Sequence, residues 1–281
     1  MCTRQLNWFL AWAVVFCDIG TSVYYVPGIL YGHVKDATPF FVLLTTGGFI
    51  LLALKYIEIS WRNPEGGGVV TITTKAFGPM WGCLGGMLIT VDYFLTTAIS
   101  SVSGLQYIGS AFPALDAHIV LLSCLGVGVL AALNVIGIRE SATVSLVMAG
   151  SAFLVDLVVI GGAFWNMNAE QWRTVFDHLS IGKDVRAYDL LVGFAAAWLA
   201  FSGLESISQL SPAMRLPLRR TTRYAMAAVM ITMVITSPIL TALAVGLLSA
   251  EVKAAQSERF ISELGFIVGG LGIKLAVVLT A

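Results

Sequence analysis

The first long apolar stretch of the chain, residues 6–31, carries a polar run at its middle. The run combines a carboxylate, a glycine, two small hydroxyls and two tyrosines: Asp18, Gly20, Thr21, Ser22, Tyr24 and Tyr25. A carboxylate at the centre of a bilayer costs about 2.5–3.5 kcal/mol on insertion scales, so it requires a partner or a ligand. Backbone that leaves helical geometry at this depth must line a cavity or pack inside protein. The pattern predicts a broken membrane helix with a binding site; the alternative is a kinked helix in which Asp18 has a structural partner only.

A second set of oxygen-bearing side chains lies in the third apolar segment. Asp92, Thr96 and Ser100 recur every four residues, and Tyr93 follows the carboxylate. Helical spacing of four places the carboxylate and the two hydroxyls on one face. Such a stripe can line a cation path, whereas hydroxyls alone are often bonded to their own helix for structural reasons. The added carboxylate favours the cation path.

Further carboxylates lie inside the fifth and sixth apolar segments. The sixth segment combines Ser202, Gly203 and Glu205 at its middle, and so repeats the character of the first. Transporters built from inverted repeats use discontinuous helices in corresponding positions of their two halves. Segments one and six have the offset that such a pairing needs, so Glu205 is the expected counterpart of Asp18. Asp156 stands alone in the fifth segment, and two roles remain open for it: a proton carrier that burial keeps neutral, or a pairing with another group.

The elements that must position these residues are membrane helices. The chain has 281 residues, of which 58% are hydrophobic and 11% are charged, and its mean hydropathy is +0.87. Soluble domains carry about 25% charged residues, so the sequence predicts an integral membrane protein. A net charge of zero argues against a nucleic-acid partner. The cysteines stand singly without metal or redox spacing, and the histidines fall in predicted outer loops, so we expect neither a cofactor nor an enzyme.

The apolar segments predict an all-α bundle that crosses the membrane about eight times. They cover residues 7–31, 39–60, 79–111, 117–136, 141–164, 189–211, 222–249 and 261–281. We expect residues 1–281 to form a single transmembrane domain, with a first five-helix repeat in 1–164 and an incomplete second repeat in 189–281. The last segment stops without a polar cap, which favours a C-terminally truncated sequence.

Loop charges predict the orientation of the chain. Several arginines cluster within residues 215–223, in one short loop. Short loops rich in Lys and Arg remain on the cytoplasmic side. We therefore expect a multi-pass protein of the plasma (inner) membrane with a cytoplasmic N-terminus. The expected partners are the lipid bilayer and a small cation or an amino acid or amine substrate, and a homodimer is the candidate assembly.

These motifs together resemble the amino acid–polyamine–organocation (APC) superfamily of secondary transporters. The likeness is carried by the broken first segment, by Pro64 to Gly68, by Leu133 to Glu140, and by Phe201 to Glu205 with the arginine-rich loop that follows. It implies a LeuT-type bundle of two inverted five-helix repeats with helices one and six broken. Within the superfamily, Asp18 to Ser22 is similar to a motif of Kup-type potassium permeases, and Val91 to Ser100 looks like the third helix of KimA-type potassium–proton symporters.

The resemblance also implies roles for the polar residues. It makes the residues of both breaks and of the third segment candidates for substrate or cation binding: Asp18, Gly20, Thr21, Ser22, Tyr25, Asp92, Tyr93, Thr96, Ser100, Ser202 and Glu205. If the cation is K⁺, the candidate metal ligands are Asp18, Asp92, Thr96 and Ser100. Glu205 and Asp156 are the candidates for proton coupling. The sequence departs from the Kup motif after Ser22, where it has Val-Tyr-Tyr instead of Pro-Leu-Tyr.

Two transport functions fit these residues. The first is proton-coupled import of a small cation, most readily potassium, because three carboxylates around one site cannot all be ionised without a compensating cation. The second is a proton-coupled amino acid or polyamine permease, in which a cationic amine satisfies the same carboxylates. A transceptor or an assembly subunit is a third class. K⁺ and H⁺ are cargo in the first case, and no bound cofactor is expected.

Overall fold

The computed structural model describes residues 5–180 and 186–281, and the statements that follow concern those residues. They form α-helices joined by loops and short 3₁₀ turns. The first helices in the chain are α1 (Trp8–Gly20), α2 (Ser22–Val34), α3 (Thr38–Arg62), α4 (Gly68–Phe77), α5 (Pro79–Ala111), α6 (Ile119–Ile136) and α7 (Ile138–Asn166). They are followed by α8 (Ala169–Asp177), α9 (Ala187–Ala197), α10 (Ser206–Gln209), α11 (Leu218–Leu247), α12 (Ala250–Ala255) and α13 (Phe260–Thr280).

Seven stretches of the described chain are long and apolar enough to cross a membrane. The first of them, Trp8–Arg62, has 55 residues. A straight helix of that length would measure about 80 Å, against a hydrocarbon core of about 30 Å. The chain leaves helical geometry at Lys35 (φ 50°, ψ −130°), between α2 and α3. This stretch therefore supplies two of the predicted segments, and the all-α, multi-pass membrane fold expected from the sequence is confirmed.

The first apolar segment, which forms α1 and α2, lies at the centre of the bundle. α1 packs against α7 and α11, while α2 packs against α9, α11 and the turn at 257–259. Two of the three tyrosines of α2, Tyr24 and Tyr25, are buried. Gly28 permits the close approach of the turn, because a Cβ at this position would overlap the backbone carbonyl of Ser257. The central position of α1 and α2 places their polar residues inside protein instead of against lipid.

The segment expected at 261–281 differs from a single straight crossing. Inside α13, Gly269 (φ −151°, ψ 26°) and Gly270 (φ 64°, ψ −154°) leave helical geometry. A Cβ on Gly265 would lie 3.1 Å from the Val277 side chain, although residues twelve apart in a straight helix are separated by about 18 Å. The two halves of α13 therefore fold back on each other, a reversal that consecutive glycines tolerate. The division of the chain into two repeats stays a prediction.

Candidate functional site

Two interruptions of the helices meet at the candidate site. The first lies between α1 and α2, where Thr21 alone separates the helices and keeps near-helical angles (φ −57°, ψ −27°). The Ser22 hydroxyl lies 2.6 Å from the carbonyl oxygen of Ile19 and 2.7 Å from that of Ala200. Because Ala200 belongs to the sixth segment, this hydroxyl joins the first interruption to the second.

The second interruption is wider and lies between α9 and α10. A 3₁₀ turn at Trp198–Phe201 is followed by Ser202 in an extended conformation (φ −61°, ψ 140°). Gly203 then has φ 105°, which side chains other than glycine rarely adopt. A Cβ on Gly203 would lie only 2.8 Å from the carboxyl carbon of Asp18. Both the backbone angle and the close approach therefore require glycine at this position.

The structure brings three predicted carboxylates together around Ser202 and Gly203. Asp18 lies against Gly203, and the Ser202 hydroxyl donates to Asp92 at 3.0 Å from Oδ2 and 3.3 Å from Oδ1. Glu205 is 8% exposed, and its Oε1 has no hydrogen-bond partner in the described part of the chain. Asp92 and Glu205 both lie within electrostatic range of Asp18. A site with this charge accommodates a cation or an ammonium group.

The hydroxyls predicted on α5 face the first interruption. Ser100 Oγ lies 3.3 Å from Thr21 Oγ1, and the buried Tyr25 has both hydroxyls as neighbours of its own hydroxyl. Thr96 is buried on the same face of α5 as Asp92, one helical turn away. Neutral oxygens therefore extend the carboxylate cluster along α5.

The remaining site candidates occupy supporting positions. Tyr93 faces the Glu205 carboxyl, and its hydroxyl accepts a hydrogen bond from Gln209 Nε2 at 2.7 Å. Gly20 is buried as the last residue of α1. Tyr93 thus ties α5 to the short helix that follows the second interruption.

Asp156 lines a cavity that also borders the first interruption. It lies on α7, and the Tyr24 hydroxyl donates to its Oδ1 at 3.1 Å. A cavity of about 520 Å³ borders both Asp156 and Asp18, with Cys17 and Ser145 among its lining residues. The hydroxyls of the consecutive residues Tyr24 and Tyr25 therefore reach different helices, the first Asp156 of α7 and the second Ser100 of α5. Of the two predicted alternatives, a paired Asp156 has its partner in Tyr24.

A second cavity, of about 550 Å³, reaches Tyr25 from the opposite end of α2. Its lining includes Gly28 and His33 of α2, and Ser103 and Gln106 of α5. Glu258 closes one side and accepts a hydrogen bond from Gln106. Polar side chains therefore line an approach to the tyrosine of the candidate site.

The site offers neutral oxygen donors beside its carboxylates. Within 5–180 and 186–281, no three His, Cys, Asp or Glu side chains are arranged to hold a metal ion. Ion filters replace the hydration shell of K⁺ with several carbonyl oxygens. At the site, the hydroxyls of Thr21, Ser100 and Ser202 and the backbone oxygens freed at the interruptions would add to the carboxylates.

Sequence reasoning missed the partners that hold the site together. Tyr24 binds Asp156, and Tyr107 supports it by donating to the Tyr24 carbonyl oxygen at 2.7 Å. Gln209 binds Tyr93. Tyr24 lies inside the polar run of the first segment, so the sequence did offer it as a polar group that could pair with Asp156. No local signal marked Tyr107 or Gln209.

These features define a multi-pass membrane chain of the permease type, with a polar site built at interruptions of its helices. The sequence signature of the amino acid permease family matches residues 6–281. The chain belongs to that family, within the APC superfamily suggested by its motifs. A permease family agrees with the expectation of a transporter rather than an enzyme.

Two curated relatives refine the comparison. The potassium transporter KimA of Bacillus subtilis (strain 168) is 31% identical over 200 residues, which cover 70% of this chain and 33% of that protein. Cationic amino acid transporter 9, chloroplastic, of Arabidopsis thaliana is 28% identical over 179 residues, which cover 56% of this chain and 32% of that protein. The matches thus span about a third of the length of these relatives.

Proposed function

We propose that this chain forms part of a proton-coupled transporter that imports potassium. The observation that carries the proposal is the convergence of Asp18, Asp92 and Glu205 around the interruption at 202–205. Carboxylates that lie close together oppose one another's ionisation, and a bound cation relieves their repulsion. The similarity to the potassium transporter KimA supports the same cargo.

In this proposal, the cation occupies the space between the two interruptions and α5. Asp18 supplies the principal charge, and Asp92 the second, oriented by the Ser202 hydroxyl. Tyr25, Thr96 and Ser100 contribute neutral oxygens, while Gly20, Thr21 and Ser22 shape the backbone of the first interruption. The approach along α2 and α5 leads the ion to Tyr25.

Proton coupling is assigned to Glu205 in the proposal. Glu205 takes up a proton when the cation is absent and releases it when the cation arrives, since its Oε1 lacks a partner in the described structure. Tyr93 orients the carboxyl. Asp156 is the second candidate for the proton, because Tyr24 and the 520 Å³ cavity connect its surroundings with those of Asp18.

The membrane placement is also part of the proposal. The arginines of 215–223 favour the cytoplasmic side for that loop, and hence for the N-terminus. A plasma membrane location follows from the proposed uptake, and a homodimer is the assembly to be tested by size measurements on the complete protein.

The second candidate function is import of a cationic amino acid or polyamine. It is favoured by the match of the amino acid permease signature over residues 6–281 and by the similarity to a cationic amino acid transporter. An ammonium group would use the same three carboxylates. The two functions predict different competitors for the site.

Rubidium uptake separates the two candidates. The complete protein is placed in proteoliposomes with an inward proton gradient, and radiolabelled rubidium is measured with and without lysine, arginine or spermidine. Asp18→Asn keeps volume and one oxygen but removes the charge, so we expect at least a tenfold loss of uptake. Glu205→Gln should abolish accumulation while sparing part of the ion exchange. No rubidium accumulation by the complete, correctly folded protein would remove the potassium proposal and leave the amine permease.

A further inference from the structure

Arginines gather where α3 ends and α11 begins. α3 ends at Arg62, and α11 carries Arg219, Arg220 and Arg223 in its first two turns. The two helices pack along each other. Their adjacent ends therefore place four guanidinium groups on one side of the bundle.

Two aromatic rings organise these side chains. The guanidinium carbons of Arg62 and Arg219 both lie 5.4 Å from the centre of the Trp61 ring system. Arg220 lies 5.5 Å from the centre of the Tyr224 ring. These distances are those of cation–π contacts, which hold a guanidinium in a defined place. We call this group, with Arg223 of the next turn, the arginine–aromatic patch: Trp61, Arg62, Arg219, Arg220, Arg223 and Tyr224.

The positive charge of the patch is largely uncompensated. Arg62 pairs with Glu58 at 2.8 Å. Across residues 5–180 and 186–281, no acidic side chain forms an ion pair with Arg219, Arg220 or Arg223. All three are exposed, in a chain whose Lys and Arg equal its Asp and Glu in number. The planar fork of arginine fits two oxygens of a phosphate group.

The surroundings favour a lipid phosphate over a free one. α3 and α11 belong to membrane-crossing stretches that end at the patch. Trp8, whose ring lies 6.2 Å from that of Tyr224, and the neighbouring Phe9 are 43% and 44% exposed. Tryptophan and tyrosine concentrate at the headgroup level of a bilayer. Exposed apolar rings beside a phosphate-binding group provide a surface for acyl chains.

We propose that the arginine–aromatic patch binds the phosphate headgroup of an anionic phospholipid. The bound lipid lies beside the connection between α10 and α11, which the N-terminal residues hold in place. Arg215 N–H donates to the Leu6 carbonyl oxygen at 2.8 Å, and Leu6 N–H donates to that of Ala213 at 3.0 Å. The lipid thus stabilises the segment that follows the second interruption. The proposal does not depend on which substrate is transported.

The test measures thermal unfolding of the complete protein in nanodiscs of phosphatidylcholine with and without phosphatidylglycerol. We expect phosphatidylglycerol to raise the Tm of the wild type, and native mass spectrometry to show it retained. The variant Arg219→Gln/Arg220→Gln/Arg223→Gln should bind phosphatidylglycerol at least about tenfold more weakly, since each basic group near a headgroup contributes to binding. Arg139→Gln removes a charge from the exposed start of α7 and should leave the lipid effect unchanged.

A charge-conserving variant distinguishes a built site from general attraction. Arg219→Lys/Arg220→Lys keeps every charge but loses the planar fork and much of the ring stacking. We expect most of the phosphatidylglycerol effect to be lost. Wild-type binding by this variant, an equal loss in Arg139→Gln, or an equal Tm rise with inorganic phosphate alone would each overturn the proposal. Native mass spectrometry of the lysine variant decides the matter even if the glutamine variant is unstable.

Discussion

The two interruptions at the candidate site differ in how far the backbone departs from a helix. After Gly20, one residue with near-helical angles separates α1 from α2. At Ser202 and Gly203, an extended residue and a positive φ separate α9 from α10. Asp18 is therefore placed by the end of a well-packed helix, whereas Glu205 is placed by a sharp change in backbone direction. Similar residue types position a carboxylate by two different physical means.

The helices that follow the interruptions are also held differently. The end of α2 is tied by Lys253, which is 7% exposed, lies 2.8 Å from Asp36 Oδ1 and donates to the Val245 carbonyl oxygen at 3.0 Å. α10 is held by the glycine loop at 66–68, where Gly68 approaches Ser208. That loop is tied by Lys75, which contacts Glu65 at 2.7 Å on the exposed surface. A buried ion pair thus holds the helix after the first interruption, and an exposed ion pair supports the loop that holds the helix after the second.

Replacing the glycine of each interruption gives the largest expected difference. Gly203→Ala introduces a Cβ at φ 105° and 2.8 Å from the Asp18 carboxyl carbon. Strained angles of this kind cost about 1–3 kcal/mol, and the displaced carboxylate should reduce rubidium uptake at least tenfold. In Gly20→Ala the new Cβ lies near the Phe16 ring alone, at 3.1 Å, so this variant should lose much less rubidium uptake. Gly126→Ala, where no atom lies within 4 Å of the new Cβ, is the control. Equal losses of rubidium uptake in Gly203→Ala and Gly20→Ala would contradict the difference drawn between the two interruptions.

Removing each ion pair should show that the buried pair, Lys253 with Asp36, contributes more to thermal stability than the exposed pair, Lys75 with Glu65. Asp36→Asn leaves Lys253 buried without its carboxylate. Because Asp36 is half exposed, the cost should fall between the roughly 1 kcal/mol of an exposed pair and the about 3–5 kcal/mol of a buried one. Differential scanning fluorimetry should show a Tm lowered by about 5 °C. Lys75→Met should leave the Tm unchanged, and a larger shift for Lys75→Met than for Asp36→Asn would refute the assignment of roles.

The sequence predicted the local features of the site better than its partners. Asp92, Thr96 and Ser100 share a face because a helix fixes that spacing, and Asp18 and Glu205 could be found because carboxylates are rare in apolar segments. The contacts of Asp156 with Tyr24 and of Lys253 with Asp36 join residues distant in sequence. Such pairs depend on how helices dock, which no local pattern encodes.

The reversal inside α13 escaped the sequence for another reason. Glycine is frequent in membrane helices, so Gly269 and Gly270 carried no sign of a turn. The hydropathy of 261–281 fits a continuous crossing equally well, because it does not depend on how the apolar residues pack against one another. The backbone angles of Gly269 and Gly270 and the approach of Gly265 to Val277 distinguish the two arrangements.

Removing a hydroxyl at either interruption should change the KM for rubidium by a smaller amount, and the two changes should differ. Ser202 donates to a carboxylate at 3.0 Å, whereas Ser100 and Thr21 are two neutral groups 3.3 Å apart. Hydrogen bonds to charged groups contribute about 1.5–3 kcal/mol and neutral ones about 0.5–1.5 kcal/mol. Ser202→Ala should therefore raise the KM for rubidium more than Ser100→Ala, while Ser202→Thr should retain uptake. An unchanged KM in Ser202→Ala would show that Asp92 needs no such orientation.

The smallest expected effect is on the pH dependence of Tm, through a histidine beside the buried ion pair of Lys253 and Asp36. His178 faces Asp36, Lys253 and Asp177, and its buried Nδ1 has no hydrogen-bond partner among the described residues. Burial is the main cause that lowers the pKa of His178 below its ordinary value of 6.5, and Lys253 lowers the pKa further, against the carboxylates. The unfolded chain therefore binds this proton first as the pH falls, so His178 contributes stability above pH 6.5 that is lost below it. In thermal unfolding between pH 7.5 and 5.5, His178→Gln should flatten the decline of Tm relative to the wild type. A steeper decline in the variant would mean that protonated His178 strengthens the tie through Asp36 instead.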